Sequence, residues 1–224
     1  ASMSQQVRFY ANRFLADLFN KKIVEDTVTT WSVTRADHSE VAERVWHFET
    51  AEEFVFERPT STDTLPAEIE RKIGTIRISR PFVSEFLDVS MAGKEGIPFV
   101  NNRPILENSI GPRYQLPLNF VKHLHSKTTS SRSSKEEIDT AVSFVGPWAR
   151  GYYHWFSDYL LRLDGLRRYE TAFGIEPTVI IPQNPPTWAK DSLRAAGIPE
   201  SRWKQWDGEQ TRINRLIVPS LRRE

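Results

Sequence analysis

The stretch AVSFVGPWARGYYHWFSDYLLRLDGLRRY, residues 141–169, opens the part of the sequence that decides the fold. Its first five residues are a short apolar run that predicts a buried strand. From Tyr153 to Tyr169 apolar residues recur at helical spacing, which predicts a helix. A second apolar run, TVII at residues 178–181, follows and predicts another strand. Strand, helix and strand in this order predict a parallel, right-handed crossover.

The residues that follow continue this alternation. A helix is predicted over residues 186–196, with proline near its first turn and Gly197 just past its end. Residues 213–218 carry four apolar side chains and predict a further strand. We therefore predict a Rossmann-like α/β unit over residues 136–224, with a mostly parallel sheet and three layers.

The helix over residues 153–169 is expected to pack on that sheet through one broad apolar face. Projected at about 100° per residue, this face holds the large aromatic and leucine side chains. We expect Trp155, Tyr159 and Leu163 to be buried against the sheet.

Residues 1–125 are predicted to form an N-terminal helix and a β-rich region. Short runs rich in β-branched and aromatic residues predict strands at 27–34, 45–56, 73–79, 98–100 and 105–106. Asn101 and Asn102 predict a tight hairpin, because asparagine tolerates positive φ. The polar stretch SKTTSSRSSK, residues 126–135, has nothing to bury and predicts a flexible linker between the two regions.

Residues 6–20 have the apolar spacing of an amphipathic helix, with basic residues beside the apolar stripe. Such a helix packs on the body of its own protein or lies on an anionic membrane surface. No apolar run approaches the roughly 18–20 residues needed to span a bilayer, and no secretory signal is visible. A cytoplasmic location is therefore predicted, with peripheral membrane contact as the alternative.

Composition excludes several classes of function. The chain of 224 residues has no cysteine, which removes disulfides, thiolate metal sites and cysteine nucleophiles. Its formal net charge of +1 argues against a broad electrostatic nucleic-acid binder. Seven tryptophans are many for this length, so some aromatic rings fill a generous core or form flat platforms for a ligand.

One face of the predicted helix carries polar side chains in a regular row. His154, Asp158 and Arg162 stand at i, i+4 and i+8, where neighbouring side chains can interact. Such a row is either a surface ion-pair ladder or the border of a cleft. The cleft interpretation is favoured by the position after a strand, because ligands of open α/β sheets bind beyond the carboxyl ends of strands.

At these residues the sequence resembles a known family. GYYHWFSDYLLRL, residues 151–163, is similar to the "YYHW…D/E…RL" segment of glycosyltransferase family 61. PFVSEFLDVSMAG at 81–93, the hairpin at 98–106, TVIIP at 178–182 and LIVPS at 216–220 appear in the order that bacterial and archaeal members show. The resemblance covers roughly residues 75–220. Two positions depart from the family: Gly151 stands where asparagine is frequent, and Leu161 where proline is frequent.

The resemblance implies an inverting glycosyltransferase of the two-lobed GT-B type. Such an enzyme moves a sugar from a nucleotide-sugar to a carbohydrate or glycoconjugate acceptor. This chain would supply the acceptor-side lobe, whereas a second lobe, missing here, would hold most of the nucleotide-sugar. Three explanations are open: a fragment, a partner lobe on a separate chain, or a domain with another use. The alternative function is a non-catalytic carbohydrate-binding or assembly subunit.

Within this interpretation the helix supplies the chemistry. Asp158 is the predicted base that takes the proton of the acceptor hydroxyl, and His154 is the second candidate. The arginines would orient the acceptor or offset charge on the departing diphosphate, and the aromatic side chains would frame the sugar. The predicted substrate-binding residues are Arg150, Tyr152, Tyr153, Trp155 and Arg162.

Two further pairs of residues have side chains of the kinds that bind metals or sugars. His123 and His125 would share one face of a strand, but no third ligand is evident for a metal. The sequence also has no Asp-x-Asp motif, so neither a metal nor another cofactor is predicted. Trp203 and Trp206 predict either a sugar platform or the half-buried surface of a strand.

Overall fold

The computed structural model describes residue 33 and residues 38–60, 64–108 and 136–221. The strands are β1 Arg44–His47, β2 Glu52–Phe56, β3 Gly74–Ile78, β4 Phe82–Ala92, β5 Ile97–Val100, β6 Arg103–Pro104, β7 Glu136–Ser143, β8 Thr178–Pro182, β9 Trp203–Trp206 and β10 Thr211–Pro219. The helices are α1 His38–Val41, α2 Ala67–Glu70, α3 Tyr152–His154, α4 Arg162–Phe173 and α5 Thr187–Ala195. A π-helical segment, Trp155–Tyr159, joins α3 to α4.

Eight of these strands form one mixed sheet in the order β6-β5-β4-β10-β7-β8-β9, with β1 also paired to β4. Strands β10, β7, β8 and β9 run parallel to one another. Strand β4 is antiparallel to β10, β1 and β5. The prediction of an α/β fold with parallel crossovers is confirmed, but the prediction of a mostly parallel sheet is wrong for the half around β4.

Strand β4 explains why the sheet is mixed. It pairs with β10 from Val83, opposite Pro219, to Met91, opposite Thr211. Residues before and after the predicted linker therefore share one sheet. Residues 126–135 lie outside the described part of the chain, as do the predicted helix over 6–20 and the pair His123 and His125.

The helices pack against the sheet through the expected side chains. Trp155 and Tyr159 are fully buried and Leu163 nearly so, which confirms that part of the prediction. Helices α4 and α5 both contribute to the cluster on this face of the sheet. In the described residues the opposite face is covered instead by Val33, Ile105 and residues around α1. The predicted third layer of longer helices is therefore not observed there.

The N-terminal β-rich region divides between two sheets. The run predicted as one strand over residues 45–56 forms two, β1 in the main sheet and β2 paired with β3 in a separate two-stranded sheet. The asparagine hairpin is confirmed, because Asn101 and Asn102 have φ of 50° and 61° between β5 and β6. Their small polar side chains make this left-handed backbone accessible.

A buried carboxylate lies between the sheet and α4. Glu85 on β4 is 1 % exposed. Its oxygens lie 2.9 Å from Nη1 of Arg44 and 3.5 Å from Nη1 of Arg215. Burial raises the pKa of the nearby Tyr169 phenol to about 12, and the Glu85 carboxylate acts in the same direction. The two ion pairs join strands β1, β4 and β10.

We expect the free energy of unfolding to fall in alkali because of Tyr169. The protonated Tyr169 phenol contributes its full stabilisation below its pKa in the unfolded chain, about 10. This contribution is lost as pH rises towards its pKa in the folded protein, by at most about 1.4 kcal/mol per pH unit. Denaturant unfolding of the wild type and of Tyr169→Phe between these pH values measures the effect. The phenylalanine variant should lose less stability across this range, and an identical loss in both proteins would contradict the assignment.

Candidate functional site

A cleft of about 630 Å³ opens at the carboxyl ends of three neighbouring parallel strands, β7, β8 and β9. This is the edge where ligands of open α/β sheets bind. The loops after the three strands and the turn between β4 and β5 form its walls. The lining residues are Lys94, Glu95, Val145, Gly146, Pro147, Trp148, Arg150, Pro182, Gln183, Trp206, Asp207, Gly208 and Glu209.

The loop after β7 is held in place by short-range contacts. A Cβ atom on Gly146 would overlap the hydroxyl of Tyr159, so only glycine fits where this loop leaves the strand. The amide of Gly151 donates to the carbonyl of Trp148 at 2.8 Å. The guanidinium of Arg150 donates to the carbonyl of Gln183 at 3.1 Å, which joins this loop to the one after β8.

The helix after this loop is interrupted by its π-helical segment. The amide of Leu160 donates to the carbonyl of Trp155 at 2.7 Å, an i→i+5 hydrogen bond. Such a turn holds one more residue than an α-helical turn, and π-bulges of this kind occur frequently at functional sites. The residues that follow the π-helical segment are therefore rotated about the helix axis, compared with their positions in an unbroken α-helix.

His154 and Asp158 form a hydrogen-bonded dyad on this helix. Nδ1 of His154 lies 2.8 Å from Oδ2 of Asp158, and both side chains are partly exposed. An ionised carboxylate can only accept a hydrogen bond, so Nδ1 of the imidazole donates. In the neutral ring the acceptor lone pair is then on Nε2. This arrangement gives the histidine a defined tautomer and leaves Nε2 able to take a proton.

Aromatic rings surround the imidazole of the dyad. The Trp148 ring stacks on His154 with centroids 4.6 Å apart and 22° between the planes. The Tyr153 ring meets the imidazole at 80°, with centroids 5.3 Å apart. Tyr152 and Tyr153 are 64 % and 74 % exposed and Trp148 is 38 % exposed. We name Trp148, Tyr152 and Tyr153 the aromatic platform.

The structure separates the predicted site residues into two groups. Arg150 lines the cleft, and Tyr152, Tyr153, His154 and Asp158 lie at or near the start of the helix beside it. Trp155 and Arg162 are instead buried, at 0 % and 1 % exposure, so neither side chain is available to a substrate in this conformation.

The predicted ladder of His154, Asp158 and Arg162 is not formed beyond its first pair. The guanidinium of Arg162 donates to Oδ1 of Asn108 at 2.6 Å and to the carbonyls of Glu107 at 3.0 Å and Ser143 at 3.3 Å. The π-helical segment places Arg162 against the end of β7 rather than beside Asp158.

Several cleft residues were not predicted as site residues. Trp148 belongs to the Gly/Pro loop after a predicted strand, and that position was a usable signal. Glu95, Asp207 and Glu209 reach the cleft from the β4–β5 turn and the loop after β9. The pairing of β4 with β10 and of β8 with β9 brings these segments together, and no local pattern reveals such pairing. Trp206, for which the sequence predicted either a sugar platform or a half-buried strand surface, is a buried strand residue that also lines the cleft.

No group of three histidine, aspartate or glutamate side chains within residues 38–60, 64–108 and 136–221 is placed to hold a metal ion. No helix in the same ranges is both long enough and apolar enough to cross a membrane.

The candidate site is therefore a cleft at the strand ends, a histidine–aspartate dyad beside it and the exposed aromatic platform at the start of the helix. Trp148 connects the cleft to the dyad, because this residue lines the cleft and its ring stacks on His154. Comparison with protein-family models, with curated proteins and with solved structures finds no match to this chain.

Proposed function

We propose that this chain is the acceptor-side lobe of an inverting glycosyltransferase. It would help to move a sugar from a nucleotide-sugar to a carbohydrate or glycoconjugate acceptor. The observation that carries the proposal is the 2.8 Å contact between His154 and Asp158 beside the cleft. A partly exposed imidazole with a fixed tautomer is suited to accept a proton from a sugar hydroxyl.

The proposed reaction is a single displacement. The acceptor oxygen attacks the anomeric carbon of the donor sugar, and the nucleoside diphosphate departs with the electrons of the broken bond. Nε2 of His154 takes the proton of the attacking hydroxyl. Asp158 holds the ring through Nδ1 and stabilises the imidazolium that forms, as carboxylates do in other histidine-based sites.

This assignment reverses the order expected from the sequence, in which Asp158 was the first candidate base. The carboxylate of Asp158 is the less exposed of the two groups, and one of its oxygens is engaged by the imidazole. Nε2 of His154 keeps its lone pair for an incoming hydroxyl. We therefore propose His154 as the base and Asp158 as the residue that positions it.

The surroundings of the dyad suit a carbohydrate acceptor. Sugar rings have apolar C–H faces, and Trp148, Tyr152 and Tyr153 offer flat aromatic area for such faces. Arg150 lines the cleft and can orient an acceptor there. In this proposal a second lobe holds most of the nucleotide-sugar, so the 224-residue chain alone should bind UDP-sugars weakly.

A non-catalytic carbohydrate-binding subunit is the second candidate function. The high exposure of Tyr152 and Tyr153 favours it, because a stacking platform serves binding without any base. The two functions differ in whether the dyad matters: a binding subunit needs the platform and not the proton acceptor.

Sugar transfer by this chain together with the second lobe of the proposal is the test. The protein is incubated with nucleotide-sugars and glycoside acceptors, with and without EDTA, and products are separated by chromatography. Transfer that persists in EDTA is expected. Glycoside binding without transfer would favour the binding subunit over the transferase.

A further inference from the structure

The turn between β4 and β5 is held rigidly against the loop after β9. Nε1 of Trp206 donates to the carbonyl of Gly93 at 2.7 Å. The amide of Gly93 donates to the carbonyl of Gly208 at 3.1 Å. These two bonds join the turn to the loop after β9, and Lys94 and Glu95 of the turn form part of the cleft wall.

Gly96 closes this turn in a way that only glycine allows. Its φ is 56°, in the left-handed region. A Cβ atom there would lie 2.7 Å from Cε of Met91 and 2.8 Å from Cγ1 of Val145. The turn therefore packs directly on the start of the loop that carries Trp148, and Glu95 is presented to the cleft between them.

Glu95 is a half-buried cleft residue, and one of its two carboxylate oxygens is buried without a hydrogen-bond partner among the described residues. Its Oε2 atom is shielded from solvent and accepts no hydrogen bond from any residue in the described ranges. A buried acceptor without a partner is unfavourable, so a ligand that brings a hydrogen-bond donor to this oxygen gains from the contact. A half-turn about the Cγ–Cδ bond exchanges the two carboxylate oxygens. A ligand in the cleft can therefore donate a hydrogen bond to either oxygen.

The charges of the cleft indicate which ligands suit it. Glu95, Asp207 and Glu209 are acidic, whereas Lys94 and Arg150 are basic. The guanidinium of Arg150 already donates to the carbonyl of Gln183. A diphosphate carries only hydrogen-bond acceptors, whereas Glu95 needs a donor. The negative charge of the diphosphate is also repelled by the carboxylates of the cleft. A hydroxyl or an ammonium group meets the need, and Trp148 supplies an apolar wall beside it.

We infer that Glu95 is a ligand-binding carboxylate, which accepts a hydrogen bond from a hydroxyl or ammonium group of a pyranose lying against Trp148. The choice of a pyranose rests on the proposed function, whereas the need for a donor rests on the cleft alone. Glu95 then distinguishes sugars by the position of the donor group on the ring.

NMR titration of the 224-residue chain tests this inference. The probes are methyl β-D-glucopyranoside, methyl β-D-glucosaminide and sodium pyrophosphate, and the signals are the indole N–H resonances of Trp148 and Trp206. We expect at least one glycoside to shift these resonances and pyrophosphate to leave them in place. Preference for the glucosaminide assigns the donor to an ammonium group, and equal or better binding of the glucopyranoside assigns it to a hydroxyl.

Variants of Glu95 connect the binding to this carboxylate. Glu95→Gln should weaken glycoside binding about tenfold or more, the loss expected for a charge-assisted hydrogen bond. It should not lower the melting temperature, because it removes an unsatisfied charge. The matched control is Glu176→Gln, the same change at an exposed position outside the cleft, which should alter neither quantity.

Three results would overturn the inference: no glycoside shift, equal affinity in Glu95→Gln and wild type, or shifts with pyrophosphate alone. None of them depends on catalysis. Glycoside binding through Glu95 in a protein that transfers no sugar would keep this inference and remove the catalytic proposal. Sugar transfer that is unaffected by Glu95→Gln, with unchanged KM for the acceptor, would remove this inference and keep the catalytic proposal.

Discussion

Replacing His154 with glutamine is expected to lower kcat for sugar transfer by about 10²–10⁴, the usual effect of losing a general base. Glutamine keeps a polar side chain at the start of the helix but cannot take the proton at neutral pH. Asp158→Asn should also lower kcat, because its amide no longer fixes the tautomer of the imidazole 2.8 Å away. Initial rates at saturating substrates, with melting temperatures measured in parallel, check both variants.

The same helix offers a matched control for this experiment. Asp164 and Arg168 form an i,i+4 ion pair at 3.0 Å with both side chains well exposed. Asp164→Asn makes the same chemical change in an exposed pair, which is worth roughly 0–1 kcal/mol of stability, and should leave kcat unchanged. A large loss for Asp158→Asn with none for His154→Gln would return the role of base to the aspartate. No loss in either variant would remove the dyad from the chemistry.

Trp155→Ala is expected to lower the free energy of unfolding by about 3–5 kcal/mol, the range for removing a large buried aromatic side chain. Trp155 is fully buried, and its Nε1 donates to Oγ of Ser192 at 2.8 Å. It thereby joins the π-helical segment to α5. Urea denaturation followed by far-UV circular dichroism measures the change.

Tyr153→Ala is the control for that prediction. Tyr153 is only two positions earlier and 74 % exposed, so its removal should change stability by no more than roughly 0.5 kcal/mol, as at other surface positions. The two variants should therefore distinguish a residue that packs in the core, Trp155, from one that is exposed to a ligand, Tyr153. A stable Trp155→Ala protein that had lost acceptor binding would return Trp155 to the group of substrate-binding residues.

Local sequence patterns were sufficient to predict those elements whose conformation depends mainly on the residues within them. The apolar run TVII is β8, and the helix predicted over residues 186–196 is α5, Thr187–Ala195. Its start after Pro186 and the positive φ of 72° at Gly197 match the signals used to place its ends. The asparagine hairpin was predictable for the same reason, since its backbone conformation depends on two residues.

Strand β4 shows what local patterns could not reveal. Its eleven residues include Glu85 and Asp88, which interrupt the apolar alternation typical of a strand. Asp88 also has a positive φ of 51°. Glu85 tolerates burial because arginines from β1 and β10 lie beside it, and these partners are distant in sequence. The antiparallel half of the sheet was therefore not predictable from periodicity.

The candidate site was predictable only where its contacts are local in sequence. The i,i+4 spacing of His154 and Asp158 predicted their contact, which needs only one helical turn. Arg162 lies beyond the i→i+5 hydrogen bond at Leu160, and no residue pattern signalled that bond. Glu95 reaches the cleft through tertiary contacts of a turn, so its position required the structure.

The anomeric configuration of the first product tests the central proposal most directly. In a single displacement assisted by His154, the acceptor oxygen attacks opposite the leaving diphosphate, so the configuration at the anomeric carbon inverts. Proton NMR of the product formed from an α-linked nucleotide-sugar should therefore show the β anomer in the wild type, and His154→Gln should form it at a sharply reduced rate. An α-linked product, or a β-linked product formed equally fast by His154→Gln, would contradict it.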